Sequence, residues 1–220
     1  DAAAHRKLAH GAEGIKAAIR GGIDTIEHAS LVDDEGIRLA VQRKQPVWFA
    51  MDIYNTEYTQ SEGRKNGVLE ENLRKDREVA QIQRDNFQKA HRAGVRMVFG
   101  SDAGVMPHGQ VARQFRTMVQ YGMTPLEAIQ AATRNAADAL GRNDVGAIAV
   151  GRYADIVAVD GDPLSGDDIE SAVLPLVALV QFWIYISDVL QGDLGQSHWK
   201  VRGPAGTTVG FTTETTAWED

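Results

Sequence analysis

Two polar side chains, His28 and Asp102, each follow a short apolar run of the sequence. His28 closes the run GIDTIEH, and Asp102 follows VRMVFGS within the glycine-containing stretch FGSDAGVMPHG. A neutral imidazole and a carboxylate are suitable ligands for a divalent ion such as zinc, and a carboxylate beside a metal-bound water can take its proton. The spacing equally fits a turn-capping aspartate and an ordinary strand-end histidine, so the residues alone leave both interpretations open.

The elements that carry these residues alternate between short strands and helices. Strands are predicted at residues 22–28, 46–51 and 95–99. Helices are predicted from Asp33 onward and at residues 11–21, 68–93, 109–121 and 124–140. Apolar strands without strict alternation, separated by helices, are typical of an α/β fold with a parallel sheet. In a barrel of such strands, catalytic side chains lie at the C-terminal strand ends, where His28 and Asp102 are expected.

Two connecting stretches have their own predictions. The N-terminal run AAAHRKL is predicted to be the end of a helix joined directly to AHG, which places His5 on that helix. Residues 52–67 are predicted to form a polar loop. This loop is longer than most connections in compact domains, and is therefore a candidate for function.

After Gly141 the pattern changes. Residues 145–159, which include ADIVAVD, predict strands without helices and so a small β appendage. Residues 173–186 are nearly continuously apolar but too short and interrupted for a membrane span. The tail from Gly192 is rich in Gly and Thr and is predicted to be loop or disorder. The predicted division is into a helix-and-strand part, a β segment and an unassigned segment: residues 1–141, 142–164 and 165–220.

Composition narrows the function classes. The net charge is −7 over 220 residues, which argues against nucleic-acid and anionic-membrane partners. A small-molecule substrate is the partner expected instead. The sequence has no cysteine, so any metal must be held by His, Asp or Glu. A basic-then-apolar leader is not visible at Asp1, so a cytoplasmic location is favoured while the compartment stays open.

Five motifs occur in an order that resembles a known enzyme family. They are GIKAA, TIEHASLVDDEG, FGSDAGVMPHG, GMTPLEAIQAATRNAADALG and GRYADIVAVDGDPL. Together, over residues 9–164, they resemble the C-terminal half of metal-dependent amidohydrolases of the imidazolonepropionase and Xaa-Pro dipeptidase-like group. The resemblance implies a partial (β/α)8 barrel of the TIM type with a small β-sandwich. It also implies metal at the barrel mouth, which activates water for attack on an amide, often of a dipeptide or acylated amino acid.

The resemblance assigns candidate roles to individual residues. It implies that His28 is the metal ligand ending the sixth barrel strand, and that Asp102 is the eighth-strand aspartate, both metal neighbour and proton shuttle. The family's first-strand His-x-His pair and fourth-strand bridging carboxylate cannot be placed here, so at most one divalent ion, of the zinc type, is expected. Leu8 stands where related sequences usually carry a fifth-strand histidine. His10 is the candidate replacement, since residues two apart share a strand face; the alternative is a loop histidine.

Two further positions are candidates for substrate binding. Tyr54, in AMDIYNTEY, lies just past the 46–51 strand, where the family places a substrate-facing aromatic or hydroxyl group. An ordinary packing tyrosine is the alternative. His108 follows Asp102 by six residues, on the loop expected over the barrel mouth, and a solvent-exposed loop histidine is the alternative.

Three functions follow as hypotheses. The first is a metal-dependent hydrolase that uses Asp102 against an amide of the dipeptide or N-acyl amino acid type. The second is an ester hydrolase with a reduced metal site, although the sequence contains no G-x-S-x-G elbow of a serine esterase. The third is a non-catalytic remnant that acts only as a scaffold. An incomplete barrel exposes a strand edge, so a homo-oligomer is also expected.

Overall fold

The computed structural model describes residues 5–104, 106–157, 159, 161–165 and 169, and the backbone of residues 198–202 and 208–212. The chain divides into two compact units, Asp1–Ala178 and Leu179–Asp220. The larger unit contains the helices and the parallel sheet, and the candidate site residues belong to it.

A sheet of four parallel strands organises the larger unit. The strands lie side by side in chain order: β1 (Arg6–Ala9), β2 (Thr25–His28), β3 (Trp48–Ala50) and β4 (Arg96–Val98). The three predicted strands are confirmed as β2, β3 and β4, each somewhat shorter than its apolar run. Parallel neighbours bring all four C-terminal strand ends to the same edge of the sheet.

The first strand corrects the prediction for the N-terminal run. Arg6–Ala9 is a strand rather than the end of a helix, and it pairs with β2 from Arg6 opposite Thr25 to Ala9 opposite His28. His5 lies just before this strand, and its carbonyl accepts hydrogen bonds from the amides of Asp24 and Thr25. Three of the four β1 side chains are exposed, so the sequence lacks the apolar run that identifies the other strands.

Seven helices are found in the described residues. They are α1 (Ala12–Arg20), α2 (Asp34–Gln42), α3 (Asn55–Glu62), α4 (Glu70–Arg92), α5 (Arg113–Gln120), α6 (Pro125–Ala132) and α7 (Arg134–Ala139). The predicted helix over residues 124–140 is divided at Thr133. Its predicted start is confirmed, because Thr124 and Glu127 form a reciprocal capping box. The predicted helix at 109–121 is shorter, because a 3-10 turn, His108–Gln110, precedes α5.

Helix α3 is the second correction. Residues 55–62 lie inside the predicted polar loop, yet they form a helix that leads into the site. The buried residues of α3 are Thr56, Tyr58 and Thr59, so it has no apolar stripe. Sequence periodicity identifies a helix by such a stripe, which explains why α3 is not recognised from its sequence.

The main core lies between one face of the sheet and the helices. Ile26, Phe49 and Met97 come from neighbouring strands and are almost fully buried in one cluster with Ile15 of α1 and Phe87 of α4. These are the apolar side chains that predicted the strands, and their burial is the largest favourable contribution to holding the helices on the sheet.

The opposite face of the sheet is only partly covered. Trp48, Ala50 and Val98 form a second cluster with Ala139 of α7. Leu8, at the corresponding register position on β1, is 60% exposed. In the described residues, β1 and β4 each have one paired neighbour, so this sheet is open at both edges.

In the C-terminal part, one prediction stays open and another is corrected. The described residues of 142–164 form turns and coil without strands, and the assignment of this segment to a β-sandwich stays a prediction. In the smaller unit, β5 (His198–Arg202) and β6 (Thr208–Thr212) form an antiparallel pair, so loop or disorder was wrong there. The apolar stretch 173–186 lies outside the described residues. Within the part that the structure describes, the helices are too short or too polar to cross a membrane.

Candidate metal centre

Four side chains able to bind a metal lie at the C-terminal ends of the parallel strands. His10 directly follows β1, and His28 is the last residue of β2. Asp52 comes two residues after β3, and Asp102 comes four residues after β4. Because the strands are parallel and adjacent, these residues gather at the edge of the sheet where barrel enzymes place their chemistry.

Three of these residues form a compact group of possible ligands. One ligand atom from each of His28, Asp52 and Asp102 lies within 4.8 Å of the others. The side chains of His28 and Asp52 are only 14% and 8% exposed, whereas Asp102 is exposed. The group therefore combines two largely buried side chains with one carboxylate that faces solvent.

A hydrogen bond links the two largely buried side chains of the group, His28 and Asp52. His28 Nδ1 donates to Asp52 Oδ1 over 2.9 Å. This bond raises the pKa of His28 against the opposing effect of burial. Burial also raises the pKa of Asp52, but the hydrogen bond and positive charge of His28 outweigh it, so the Asp52 pKa lies below its ordinary value. With Nδ1 committed to Asp52, the Nε2 atom of neutral His28 is the one with a lone pair for a metal.

The backbone is strained at the two predicted site residues. His28 has φ 72° and Asp102 has φ 48°, which lie in the left-handed backbone region that residues other than Gly rarely adopt. Gly100 lets the loop after β4 pass close to β3, because a Cβ at this position would lie 3.3 Å from the Cβ of Ala50. Backbone strain of this kind concentrates at functional sites, where surrounding contacts hold it in place.

Two amide side chains join the carboxylates to their surroundings. Asn55 Nδ2, at the start of α3, donates to Asp52 Oδ2 over 3.1 Å and to Asp102 Oδ2 over 3.0 Å. Gln83 Nε2, buried on α4, donates to Asp52 Oδ1 over 3.3 Å and to the hydroxyl of Ser30 over 3.4 Å. Helix α3 therefore contacts both carboxylates, and α4 contacts Asp52.

The predicted ligand His10 lies next to the group. Its ring stacks on the His28 ring with centroids 4.3 Å apart, and its Nδ1 lies 3.1 Å from Ser30 Oγ. Burial, and then the nearby charge of His28, lower the pKa of His10, which favours its neutral form. Its role as a ligand stays a prediction, since the group that converges within ligand distance comprises His28, Asp52 and Asp102.

The two predicted substrate-binding residues lie in different environments. Tyr54 is 2% exposed, and its hydroxyl lies 3.4 Å from Gln110 Oε1 and 3.2 Å from a guanidinium nitrogen of Arg113. His108 is exposed and begins the 3-10 turn before α5. Contact of either residue with a substrate stays a prediction.

Sequence reasoning missed Asp52, Asn55 and Gln83. Asp52 follows an apolar strand by two residues, so the rule that selected His28 and Asp102 could have found it. Asn55 lies in the unrecognised helix α3, and Gln83 lies in the middle of a long charged helix. Neither amide carries a local signal, because its role depends on contacts with distant parts of the chain.

Comparison with known proteins identifies the family. The model of the amidohydrolase family matches residues 1–207. This chain belongs to the amidohydrolase family. The match extends past residue 164, where the recognisable motifs end, and it confirms the predicted family resemblance.

The relatives of this amidohydrolase chain include several different enzymes. Ochratoxinase of Aspergillus niger is 34% identical over 158 residues, which are 70% of this chain and 32% of that protein. A crystal structure of a Xaa-Pro dipeptidase with bound methionine in the active site has 36% identity and a TM-score of 0.68, over 77% of this chain and 41% of that chain. A prolidase complexed with N-methylphosphonate-L-proline has 28% identity and a TM-score of 0.67, over 78% of this chain and 41% of that chain.

The comparisons confirm the fold class and show what share of its relatives' length the chain spans. The relatives have the TIM-barrel fold, so the parallel sheet of this amidohydrolase chain is part of a (β/α)8 barrel, as predicted. The chain spans 32% of the ochratoxinase sequence and 41% of the dipeptidase structure.

Proposed function

We propose that this chain provides the metal-binding C-terminal half of the barrel of a hydrolase that cleaves amide bonds. The observation that carries the proposal is the convergence of His28, Asp52 and Asp102 at the C-terminal strand ends. Membership of the amidohydrolase family supports the reaction class. The group lies where a barrel enzyme of this family places its chemistry.

The chemistry of the donor set fits a divalent cation. An imidazole nitrogen and carboxylate oxygens suit zinc and its neighbours in the transition series. Two zinc ligands at about 2.0–2.2 Å from the ion are at most about 4.4 Å apart. One donor atom from each of His28, Asp52 and Asp102 lies within 4.8 Å of the others, which is close to the spacing of ligands around one ion. His28 through Nε2 and the exposed Asp102 would bind the ion directly, and Asp52 would orient His28 and add its negative charge beside the ion.

Each residue of the group has a separate task in the proposed reaction. A bound divalent cation polarises an amide carbonyl and makes a water molecule more acidic. Asp52 keeps the His28 ring in one orientation and one tautomer through the 2.9 Å hydrogen bond. Asp102, at the solvent side, accepts the proton of the attacking water and returns it to the amide nitrogen that leaves.

The relatives support a proposal for the substrate class. One is named a Xaa-Pro dipeptidase, and another is a prolidase bound to a phosphonate of proline. We therefore propose a dipeptide or an N-acyl amino acid as the substrate type. The carboxylate of Asp102 is exposed, so a small molecule of this kind can reach it.

The experiment compares hydrolysis by the wild-type chain, Asp102→Asn and Asp85→Asn. A panel of dipeptides, N-acyl amino acids and an activated ester is assayed with added zinc and with chelator. Asp85 is the control, since it is an exposed aspartate of α4 that accepts a hydrogen bond from Gln81. The proposal expects zinc-dependent amide cleavage that falls about 10²–10⁴-fold in Asp102→Asn and is retained in Asp85→Asn.

The other outcomes separate the remaining hypotheses. Cleavage of the ester alone, still dependent on zinc and Asp102, would support an ester hydrolase with a reduced metal site. Activity that is unchanged by Asp102→Asn and by chelator would contradict the proposal. A folded chain without activity would favour the scaffold hypothesis.

A further inference from the structure

The amide of Asn55 lies between the two carboxylates of the candidate metal centre. Its Nδ2 atom donates to Asp52 Oδ2 over 3.1 Å and to Asp102 Oδ2 over 3.0 Å. We propose that Asn55 is a positioning residue that holds these two carboxylates side by side, ready for a cation. Its effect on cation affinity rests on the proposed function. Its effect on the positions of the two carboxylates does not, and it can be tested in the metal-free chain.

The orientation of the Asn55 amide is determined by its partners. Ionised carboxylates only accept hydrogen bonds, so the nitrogen must face Asp52 and Asp102. The Thr59 hydroxyl, one turn further along α3, donates to Asn55 Oδ1 over 3.3 Å. Both ends of the amide are therefore matched, and the side chain is fixed on a helix rather than on a flexible loop.

Electrostatics explains why such a bridge is needed. Asp52 and Asp102 contribute oxygens to one compact group, and like charges at this distance repel each other. Asp52 is anchored independently by His28 and Gln83. Asp102 lies on the loop after β4, in a strained left-handed conformation, and the bond from Asn55 ties this loop to the fixed Asp52.

A purely structural role of Asn55 makes a different prediction. Asn55 is the first residue of α3, so its loss could weaken the helix start without affecting the carboxylates. In that case the chain would lose stability while the affinity for a cation and the position of Asp102 stayed the same. A positioning role requires both the affinity and the position to change in a chain that remains folded.

The experiment uses Asn55→Ala and the matched control Asn66→Ala. Asn66 also donates a side-chain hydrogen bond, to the hydroxyl of Tyr58 over 3.0 Å, but does not touch the carboxylates. Zinc binding is measured by calorimetry on the full chain, and thermal unfolding in chelator shows that each variant is folded. We expect affinity to fall about 10–100-fold in Asn55→Ala, the usual effect of losing a partner of a metal ligand, and to stay unchanged in Asn66→Ala.

A metal-free crystal structure of Asn55→Ala provides the second readout. The proposal expects the carboxylates of Asp52 and Asp102 to lie further apart than in the wild-type chain. If they keep their positions, the proposal is overturned, whatever the affinity. If the wild-type chain binds no zinc, the proposed function fails, and the carboxylate positions alone decide the role of Asn55. If Asn55→Ala does not fold, Asn55→Leu, which keeps most of the volume without a donor, takes its place.

Discussion

The Nδ1 atom of His28 lies 2.9 Å from Oδ1 of Asp52, across the gap between β2 and β3. In a neutral histidine, a carboxylate that accepts a hydrogen bond from Nδ1–H leaves the lone pair on Nε2 and fixes the plane of the ring. The two residues thus form a prepared ligand at the edge of the sheet, to which Asp102 adds an exposed carboxylate.

Asp52→Asn should weaken zinc binding about 10–100-fold, because an amide cannot both orient His28 and carry the negative charge that favours a cation. The affinity is measured by competition with a coloured chelator. Asp85→Asn, on the surface of α4, should leave the affinity unchanged. Equal affinities for Asp52→Asn and wild type would show that the His28–Asp52 pair has no part in metal binding.

Gln83→Leu should lower the free energy of unfolding by about 1–3 kcal/mol. The substitution removes a buried donor and leaves the Asp52 and Ser30 oxygens without that hydrogen bond. The midpoint and slope of urea unfolding measure the effect. Gln81→Leu is the control on the same helix, since Gln81 is exposed and should change stability by no more than about 0.5 kcal/mol. Similar losses in both variants would contradict the structural role of Gln83.

Lys16 should make stability depend on pH in the acid range. Its side chain is 7% exposed, and its Nζ atom lies 2.8 Å from Asp33 Oδ2. The hydrogen bond from Lys16 holds the pKa of Asp33 below its ordinary value. A lowered carboxyl pKa adds stability above the unfolded value of about 4, and this contribution is lost as the pH falls through the folded pKa.

The measurement is the free energy of unfolding of wild type and Lys16→Met between about pH 2 and pH 6, the range in which carboxyl groups titrate. The wild-type chain should be more stable near pH 6, and the difference should shrink toward acid pH. Lys75→Met, which removes an exposed pair with Glu71, should show little difference at any pH. A difference that stays constant down to the lowest pH would contradict this assignment.

The open edges of the sheet should make the chain self-associate. Strands β1 and β4 have one neighbour each in the described residues, and Leu8 on β1 is 60% exposed. Light scattering should give a mass above the 24.0 kDa of one chain. Leu8→Glu should shift the mass toward the monomer, whereas Leu126→Glu, at an exposed position of α6, should not. A monodisperse wild-type monomer would refute the prediction.

The sequence predicted the elements that bury a recognisable run or stripe of apolar residues. Strands β2 to β4 carry apolar side chains such as Ile26 and Phe49 that pack under the helices, so their runs are recognisable. Strand β1 is exposed over most of its length, and α3 buries threonines and a tyrosine rather than an apolar stripe. Both were missed because pairing and tertiary contacts, not local pattern, determine their structure.

The candidate site was predictable to a similar degree. His28 and Asp102 follow apolar strands, and the structure brings them into one group. Asp52 obeys the same rule and could have been selected. The contacts of Asn55 and Gln83 depend on where α3 and α4 pack, which no single stretch of sequence encodes.

The zinc content of the purified full chain is the measurement that tests the central claim most directly. The chain, His28→Ala and the control His91→Ala are dialysed against zinc and then against metal-free buffer, and the metal is measured by elemental analysis. His91 lies on α4, 3.4 Å from a Glu127 oxygen and outside the group of His28, Asp52 and Asp102. We predict about one zinc ion per wild-type chain and per His91→Ala chain, and a large loss in His28→Ala. A wild-type chain that retains no zinc, or retains as much as His28→Ala, would contradict the proposed metal centre.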